Sequence, residues 1–437
     1  MKRTKEYQNR AMSRIPGMTQ LLSKRPDRFS QGIWPTYYEK AKGCEVWDLD
    51  GNHYIDMSIA GIGACVLGYA DPDVDGAVIR AIQNGVASSL NCPEEVELAE
   101  LLCELHPWAE MARFTRSGGE AMAVAVRIAR AHTGRDAVAF CGYHGWQDWY
   151  LAANLGTENA LGEHLISGLK PNGVPRGLTG TALPFRYNHL EELQAIVEEH
   201  GNTLGAIVME PTRSEYPNPG FFEGVRALAD QSGAVLIIDE ISAGFRFCCG
   251  GAHLSLFDQT PDIAVFSKAL GNGYPISAII GKKSVMQAAQ ETFISSTNWT
   301  ERTGFAAALA MIQKYRGLAV HERLAELGQA VSNGWKASAA KYGVPIHVGG
   351  LDPFPHFILG QEDQLELKAL FIQEMLKKGF LTSNLYYAMF AHTNEHVEKY
   401  LQAVETTFEF IAHVIASGKI ASLLEGQPAM AGFGRLA

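Results

Sequence analysis

The stretch "AVLIIDEISAGFRF", residues 234–247, runs five apolar residues together and closes them with two carboxylates, Asp239 and Glu240. A strand with one face in water alternates apolar and polar side chains. A run without alternation needs apolar cover on both faces, as a strand inside a parallel sheet has. The same form recurs in "AVAF" (137–140), "LGAIVME" (204–210) and "DIAVFS" (262–267), with helix-period stretches such as "EEVELAELLCEL" (94–105) and "GEAMAVAVRIARAH" (119–132) between them. Apolar strands alternating with helices predict an α/β fold, a large domain of about residues 66–325 with a mostly parallel sheet covered by helices.

The flanks read differently. In "CEVWDLDGNHYIDMSI" (44–59) the Asp50–Gly51 pair sits between two short runs and signals a hairpin. Beyond about residue 320, amphipathic helical stretches such as "DQLELKALFIQEMLKKG" (363–379) and "EHVEKYLQAVETTFEFIA" (395–412) alternate with short strand-like pieces. Together the ends predict a smaller α+β domain built from both termini, residues 1–65 with 326–437, since 437 residues exceed one ordinary core.

A net charge of −10 argues against a nucleic-acid partner. The basic start "MKRTKEYQNR" leads into no apolar stretch of signal-peptide type, and no window approaches the roughly 18 apolar residues of a membrane span. Seven cysteines, an odd number without a C-x-x-C pair, fit a reducing cytoplasm. The adjacent Cys248 and Cys249 read as buried filler, because neighbouring residues rarely reach disulfide geometry.

Ligands of open parallel sheets sit outside the carboxyl ends of the strands, so polar residues that close apolar runs are the first candidates. In "MARFTRSGGEAMAVAVRIARAH" (111–132) a strand gives way to Ser117-Gly118-Gly119 and a helix, whose free amides suit a phosphate; taken alone, the stretch reads more simply as a plain turn with Ser117 as N-cap. Asp239 is a carboxylate that needs a partner: a buried ion pair, a helix start that it caps, or the protonated nitrogen of a pyridine ring. Lys268 closes "DIAVFS" ahead of "GNGYP"; desolvation would make it a neutral amine that condenses with an aldehyde, whereas a lysine with its head in water would do nothing. In "FCGYHGWQDWY" (140–150), Tyr143, His144 and Trp146 follow an apolar run, and an aromatic there stacks on a flat ring or caps a core. A phosphate cradle, an aromatic, a carboxylate and a lysine at strand ends of one sheet are the parts that hold pyridoxal 5′-phosphate.

In that order the motifs resemble the class III (subgroup II) pyridoxal-phosphate aminotransferases of fold type I, from "GCEVWDLDGNHYIDM" (43–57) to "MFAHTNEHVEKYL" (389–401). "SGGEA" is similar to the family's S-G-T-E-A, "YHG" is unaltered, "VMEP" matches V-x-E-P, and "LIIDEISAGFR" and "SKALGNGYP" resemble the D-E and lysine segments. The resemblance implies that Lys268 forms the Schiff base with pyridoxal 5′-phosphate and that Asp239 pairs with its ring nitrogen. It implies Tyr143 stacked on the ring with His144 close by, Ile241 on the opposite face, and Ser117, Gly118 and Gly119 on the phosphate. It places Glu210 beside the phenolic oxygen through a hydrogen-bond network, and Thr297 in the neighbouring subunit's phosphate site, hence a homodimer with shared active sites. The chain departs from the pattern in two places: Gly119 stands where the family has threonine, and "STNWTERTG" (296–304) replaces G-T-F-S-G-N-P.

The resemblance implies transfer of an amino group from an amine or amino-acid donor to a small carbonyl acceptor. "ISAGFRF" is closest to the glutamate-1-semialdehyde aminomutase branch, which makes intramolecular transfer the alternative. The N-terminal "RIPGMTQLLSKRP" (14–26) lacks that enzyme's P-G-G-V-N-S-P-V-R stretch, so the expectation is an intermolecular aminotransferase. Arg25, Arg28, Arg213, Arg246 and Arg302 are candidates to grip a substrate carboxylate, with none preferred.

Rival classes read poorly. "GIGACVLG" (61–68) imitates a dinucleotide fingerprint but has Val66 at the third glycine. His392 and His396 stand four apart without H-E-x-x-H, and Thr393 reads as a helix cap, so no metal is expected and both histidines are expected at the surface. A non-catalytic descendant would have lost Lys268 or Asp239, and both are present.

Overall fold

The computed structural model describes residues 2–360 and 363–433. It divides into two compact units, Met1–Asp71 with Glu322–Ala437, and Pro72–His321.

In the first unit, β1 (Tyr38–Lys42), β2 (Glu45–Asp48) and β3 (His53–Met57) form an antiparallel meander. The β2–β3 turn is set by Asp48, whose carboxylate accepts from the amides of Asp50 at 2.9 Å and Asn52 at 2.8 Å, while Gly51 takes φ 85°. That left-handed conformation is nearly free for glycine and costly for other residues.

The second unit carries β4 (Met111–Thr115), β5 (Ala137–Cys141), β6 (Ala182–Pro184), β7 (Leu204–Met209), β8 (Val235–Asp239), β9 (Ile263–Phe266) and β10 (Ser277–Gly281). They form one seven-stranded sheet in the order β4-β10-β9-β8-β7-β5-β6. Only β10 runs against the others, antiparallel to both β4 and β9, so β4 lies parallel to β9 and to the rest. The period of two divides the apolar runs between two faces. Val138, Phe140, Val208, Ile237 and Val265 pack with Ala121, Ala125 and Ile128 of the helix Gly118–Thr133. Ala139, Cys141, Ile207, Met209, Leu236 and Ile238 pack with Phe222, Val225 and Ala229 of the helix Phe221–Ser232. Each aliphatic side chain so covered contributes about 1.5–3 kcal/mol, which is why these strands contain no polar residue until they end.

The chain then returns to the first unit with β11 (Ile346–Leu351), β12 (Phe354–Leu359) and β13 (Phe380–Thr382). β13 joins β3 in parallel, so both termini build one four-stranded sheet, while β11 and β12 pair with each other. Trp335 is fully buried, and its indole N–H donates to Tyr400 Oη at 3.1 Å. Thr393 caps the helix Asn394–Ser417, accepting from the His396 amide at 3.2 Å.

Two expectations need correction. His392 lies outside that helix but is buried rather than at the surface: its Nε2 donates to Asp56 O at 2.9 Å, so Nδ1 is left to accept from Tyr386 Oη at 2.9 Å and the Met389 amide at 3.0 Å. Protonation would forfeit both acceptor bonds, and burial already pulls its pKa down to about 4. Cys248 and Cys249 are half-buried rather than fully buried, and all seven cysteines are free thiols. Among the described residues no helix is long and apolar enough to cross a membrane.

Candidate active site

Because β4, β5, β7, β8 and β9 all run the same way, the residues that follow them emerge at one edge of the sheet. There the structure gathers Gly118, Gly119, Tyr143, His144, Asp239, Ile241 and Lys268 around a cavity of about 160 Å3. Ser242 and Ser267 line it too.

Lys268 opens the short helical turn Lys268–Gly271 with φ 44°. A left-handed lysine costs on the order of 1–3 kcal/mol and persists only where its surroundings impose it. The strain aims Nζ into the cavity wall, where it donates to Ser242 Oγ at 2.6 Å. Burial pulls the Lys268 pKa down and Arg246 adds to this, while Asp239 and Glu210 pull the other way. The neutral amine is thus more accessible here than on a lysine in water. Neither Ser242 nor Arg246 is marked by a sequence motif as a partner of this lysine; only the turn that follows β8 brings them there.

Asp239 ends β8 and is almost wholly buried. Its Oδ1 accepts from the Ile241 amide at 3.0 Å, and its Oδ2 lies 2.8 Å from His144 Nδ1. His144 Nε2 lies 3.1 Å from the carbonyl of Cys141. A carbonyl only accepts, so Nε2 carries a proton, and the Nδ1–Oδ2 line must hold a second one on either atom. Burial raises the Asp239 pKa and the His144 hydrogen bond opposes it. His144 is therefore the group that favours the anionic form of this carboxylate against its burial.

The anion end is the start of the helix Gly118–Thr133, with Ser117 as its N-cap. Glu120 folds back to accept from the amides of Ser117 at 3.0 Å and Arg116 at 3.1 Å. The first helical N–H groups have no acceptor in the helix and face outward. A Cβ at Gly118 would stand 2.8 Å from Ile241 Cδ1, so a side chain there would have to push that cavity-lining methyl aside. Ser117 thus satisfies the cap reading, and it is Gly118 and Gly119 that line the cavity.

Tyr143 lines the cavity with 41% of its surface exposed, which suits a ring platform better than a core cap. Its amide donates to Glu210 Oε2 at 3.1 Å, and Glu210 also pairs with Arg213. Glu210 stands one layer behind the cavity and holds the Tyr143 loop. Thr297 is exposed on the turn Thr297–Thr300 and does not line this chain's cavity. That turn is tied to the cradle by Arg116, whose guanidinium donates to Asn298 O at 2.5 Å and Trp299 O at 3.2 Å.

Of the candidate arginines, Arg25 is paired with Asp27 at 2.5 Å and Arg302 lies on Glu94 at 2.7 Å. Arg213 is taken up by Glu210 and donates to His164 O at 3.0 Å. Arg28 donates to Gly432 O at 2.8 Å, and Arg246 is fully buried.

The cavity fits an aromatic aldehyde that carries a phosphate. It offers the helix-start amides of Gly118 and Gly119 for the anion, a carboxylate for a protonated ring nitrogen, apolar and aromatic walls, and an amine poised against a hydroxyl.

Comparison with known proteins agrees. The model of the aminotransferase class-III family matches residues 29–408. The chain is 32% identical over 395 residues to the 3-aminobutyryl-CoA aminotransferase of Cloacimonas acidaminovorans (strain Evry), covering 87% of this chain and 91% of that protein. It is 31% identical over 408 residues to the glutamate-1-semialdehyde 2,1-aminomutase of Syntrophobacter fumaroxidans, covering 88% and 93%. Its fold superposes on the internal aldimine form of the Sphingopyxis sp. MTA144 FumI protein with a TM-score of 0.86 at 24% identity, covering 98% and 99%.

Proposed function

The chain belongs to the class-III aminotransferases and works with pyridoxal 5′-phosphate, and we propose that Lys268 binds the cofactor's aldehyde and then carries the reaction's proton. The observation that carries this is the placement of a strained, half-buried lysine in one cavity with Asp239 and the glycine pair. Bound there, the cofactor supplies an aldehyde that condenses with amines and a ring that draws electrons from the carbon bearing the amine. Gly118 and Gly119 hold the phosphate through their amides. Tyr143 and Ile241 hold the ring from its two faces, and Asp239 holds a negative charge at the ring nitrogen, with His144 favouring its anionic form. As a free amine, Lys268 Nζ would be the base that takes a proton from the substrate carbon, and Ser242 Oγ holds Nζ at the cavity wall. Glu210 and Arg213 hold the Tyr143 loop in place.

The amino group passes between two molecules, from an amine donor to a carbonyl acceptor. The 3-aminobutyryl-CoA aminotransferase relative supports a donor whose amine lies beta to a carbonyl. The 31% identity to an aminomutase supports transfer within one molecule as the second reading. The two part on a half-reaction. With a β-amino donor alone, an aminotransferase accumulates pyridoxamine phosphate and releases a carbonyl product in equal amount. Rearrangement of the donor with no release of product would establish the aminomutase reading.

The working enzyme is a homodimer with shared active sites, Thr297 reaching the partner's phosphate. Its exposure supports this, as do Leu90 at 83% and Phe293 at 94% exposure, large apolar groups that an isolated chain leaves in water. Light scattering should give twice the 47.7 kDa chain mass, and Thr297→Ala should weaken cofactor binding. A fully active monomer would rule the shared site out. The seven free thiols support a reducing cytoplasm as its compartment.

A further inference from the structure

We infer that the carboxamide of Gln147 is a cofactor-binding group that donates to the phosphate in the place a side chain at position 119 would occupy, an inference that rests on the reading of this cavity as a pyridoxal-phosphate site. Gln147 follows the Tyr143–His144–Gly145 turn and is half-buried. A Cβ built on Gly119 would stand 2.9 Å from its Oε1, 3.1 Å from its Cδ and nearer still to Nε2. A Cβ built on Gly145, at φ +109°, would meet the same Oε1 at 2.5 Å. Two glycines that line the cavity are therefore bare on the side where one amide lies.

The amide is held with a defined orientation. Oε1 accepts from the Trp146 N–H at 3.2 Å, and among the described residues Nε2 makes no hydrogen bond. The donor half thus faces the helix start with nothing to donate to, as an anion site requires.

Two basic side chains near the cradle are already engaged elsewhere. Arg116, the nearest in sequence to the cradle, spends its guanidinium on the carbonyls of Pro275, Asn298, Trp299 and Glu301. His144 is turned to Asp239 and the Cys141 carbonyl. At Gly118 and Gly119 the carboxamide of Gln147 would add a side-chain donor to the backbone amides. A neutral donor suits a dianion already facing helix amides, since it adds a hydrogen bond without burying another charge.

The test titrates cofactor-free full-length protein with pyridoxal 5′-phosphate and, separately, with pyridoxal, following the absorbance of the Lys268 adduct. Wild type should bind the phosphate ester far more tightly than pyridoxal. Gln147→Ala should raise the Kd for pyridoxal 5′-phosphate roughly ten- to a hundred-fold, the range for losing one hydrogen bond to a charged group, and leave the Kd for pyridoxal within about two-fold. Gln147→Glu keeps the shape, replaces the donor with a negative charge and should weaken the ester at least as much as alanine does. Equal weakening of both ligands, or Gln147→Glu binding the ester as wild type does, overturns the inference while the cofactor reading stands. A wild-type protein that binds neither ligand overturns the cofactor reading and the inference with it.

Discussion

Lys268→Ala protein should retain no borohydride-fixed cofactor and should turn over at least about 10⁴-fold more slowly than wild type, because it loses both the covalent anchor and the proton carrier. Wild-type protein should be yellow, lose that absorbance on reduction, and yield a modified peptide that spans Lys268. Lys268→Arg sharpens the test. It preserves the positive charge and most of the length, yet a guanidinium cannot become a neutral amine near neutral pH. If charge near Asp239 and Glu210 were all the site needed, arginine would rescue; since the chemistry needs the unprotonated amine, Lys268→Arg should be as dead as alanine. The structure gives the reason. Burial and Arg246 lower the lysine's pKa against the pull of the carboxylates, and Ser242 Oγ sits 2.6 Å away to take the hydrogen bond the ammonium or amine donates. A Lys268→Arg enzyme within ten-fold of wild type would remove the lysine from the reaction.

The parts of this site that the sequence displays are those that end strands. An apolar run has a visible last residue, so Asp239, Lys268 and the Tyr143–His144 pair are conspicuous in one dimension, and so is a glycine pair that opens a helix. The supporting groups are not conspicuous. Ser242 reaches Lys268 across 26 residues, and Arg116 meets Asn298 across 182. Such pairs exist only once the sheet has set the loops side by side, and no local period marks them. Ser117 illustrates the converse: as a helix cap it has a local explanation that its contacts satisfy, so its sequence signature alone could not separate cap from ligand. His392 shows a different limit. A histidine beside a helix cap reads as exposed, and the carbonyl of Asp56, one of the partners that satisfy it in the interior, lies 336 residues away.

Asp239→Asn carries the second large effect. The amide keeps the shape of the carboxylate but bears no charge, so it cannot hold a proton on a pyridine nitrogen, and turnover should fall about 10³-fold. The fold should survive. The introduced carboxamide can still accept from the Ile241 amide, and its N–H can donate to His144 Nδ1 while His144 Nε2 goes on donating to Cys141, which leaves the histidine neutral and every hydrogen bond made. The thermal midpoint should accordingly stay within a few degrees of wild type. A second readout separates electrostatics from positioning. Asp239 raises the pKa of Lys268, so removing its charge should lower it. In cofactor-free Asp239→Asn protein, the pH midpoint for modification of Lys268 by an amine-directed reagent should move downward relative to wild type. A substitution that merely loosened the site would let water in and move that midpoint up, toward the ordinary lysine value. If turnover falls while the midpoint rises, Asp239 acts by packing, and the ring nitrogen must find its charge elsewhere. If turnover falls and the midpoint drops, the carboxylate acts on both the ring and the lysine through its charge, which is the role its burial beside His144 is built to sustain.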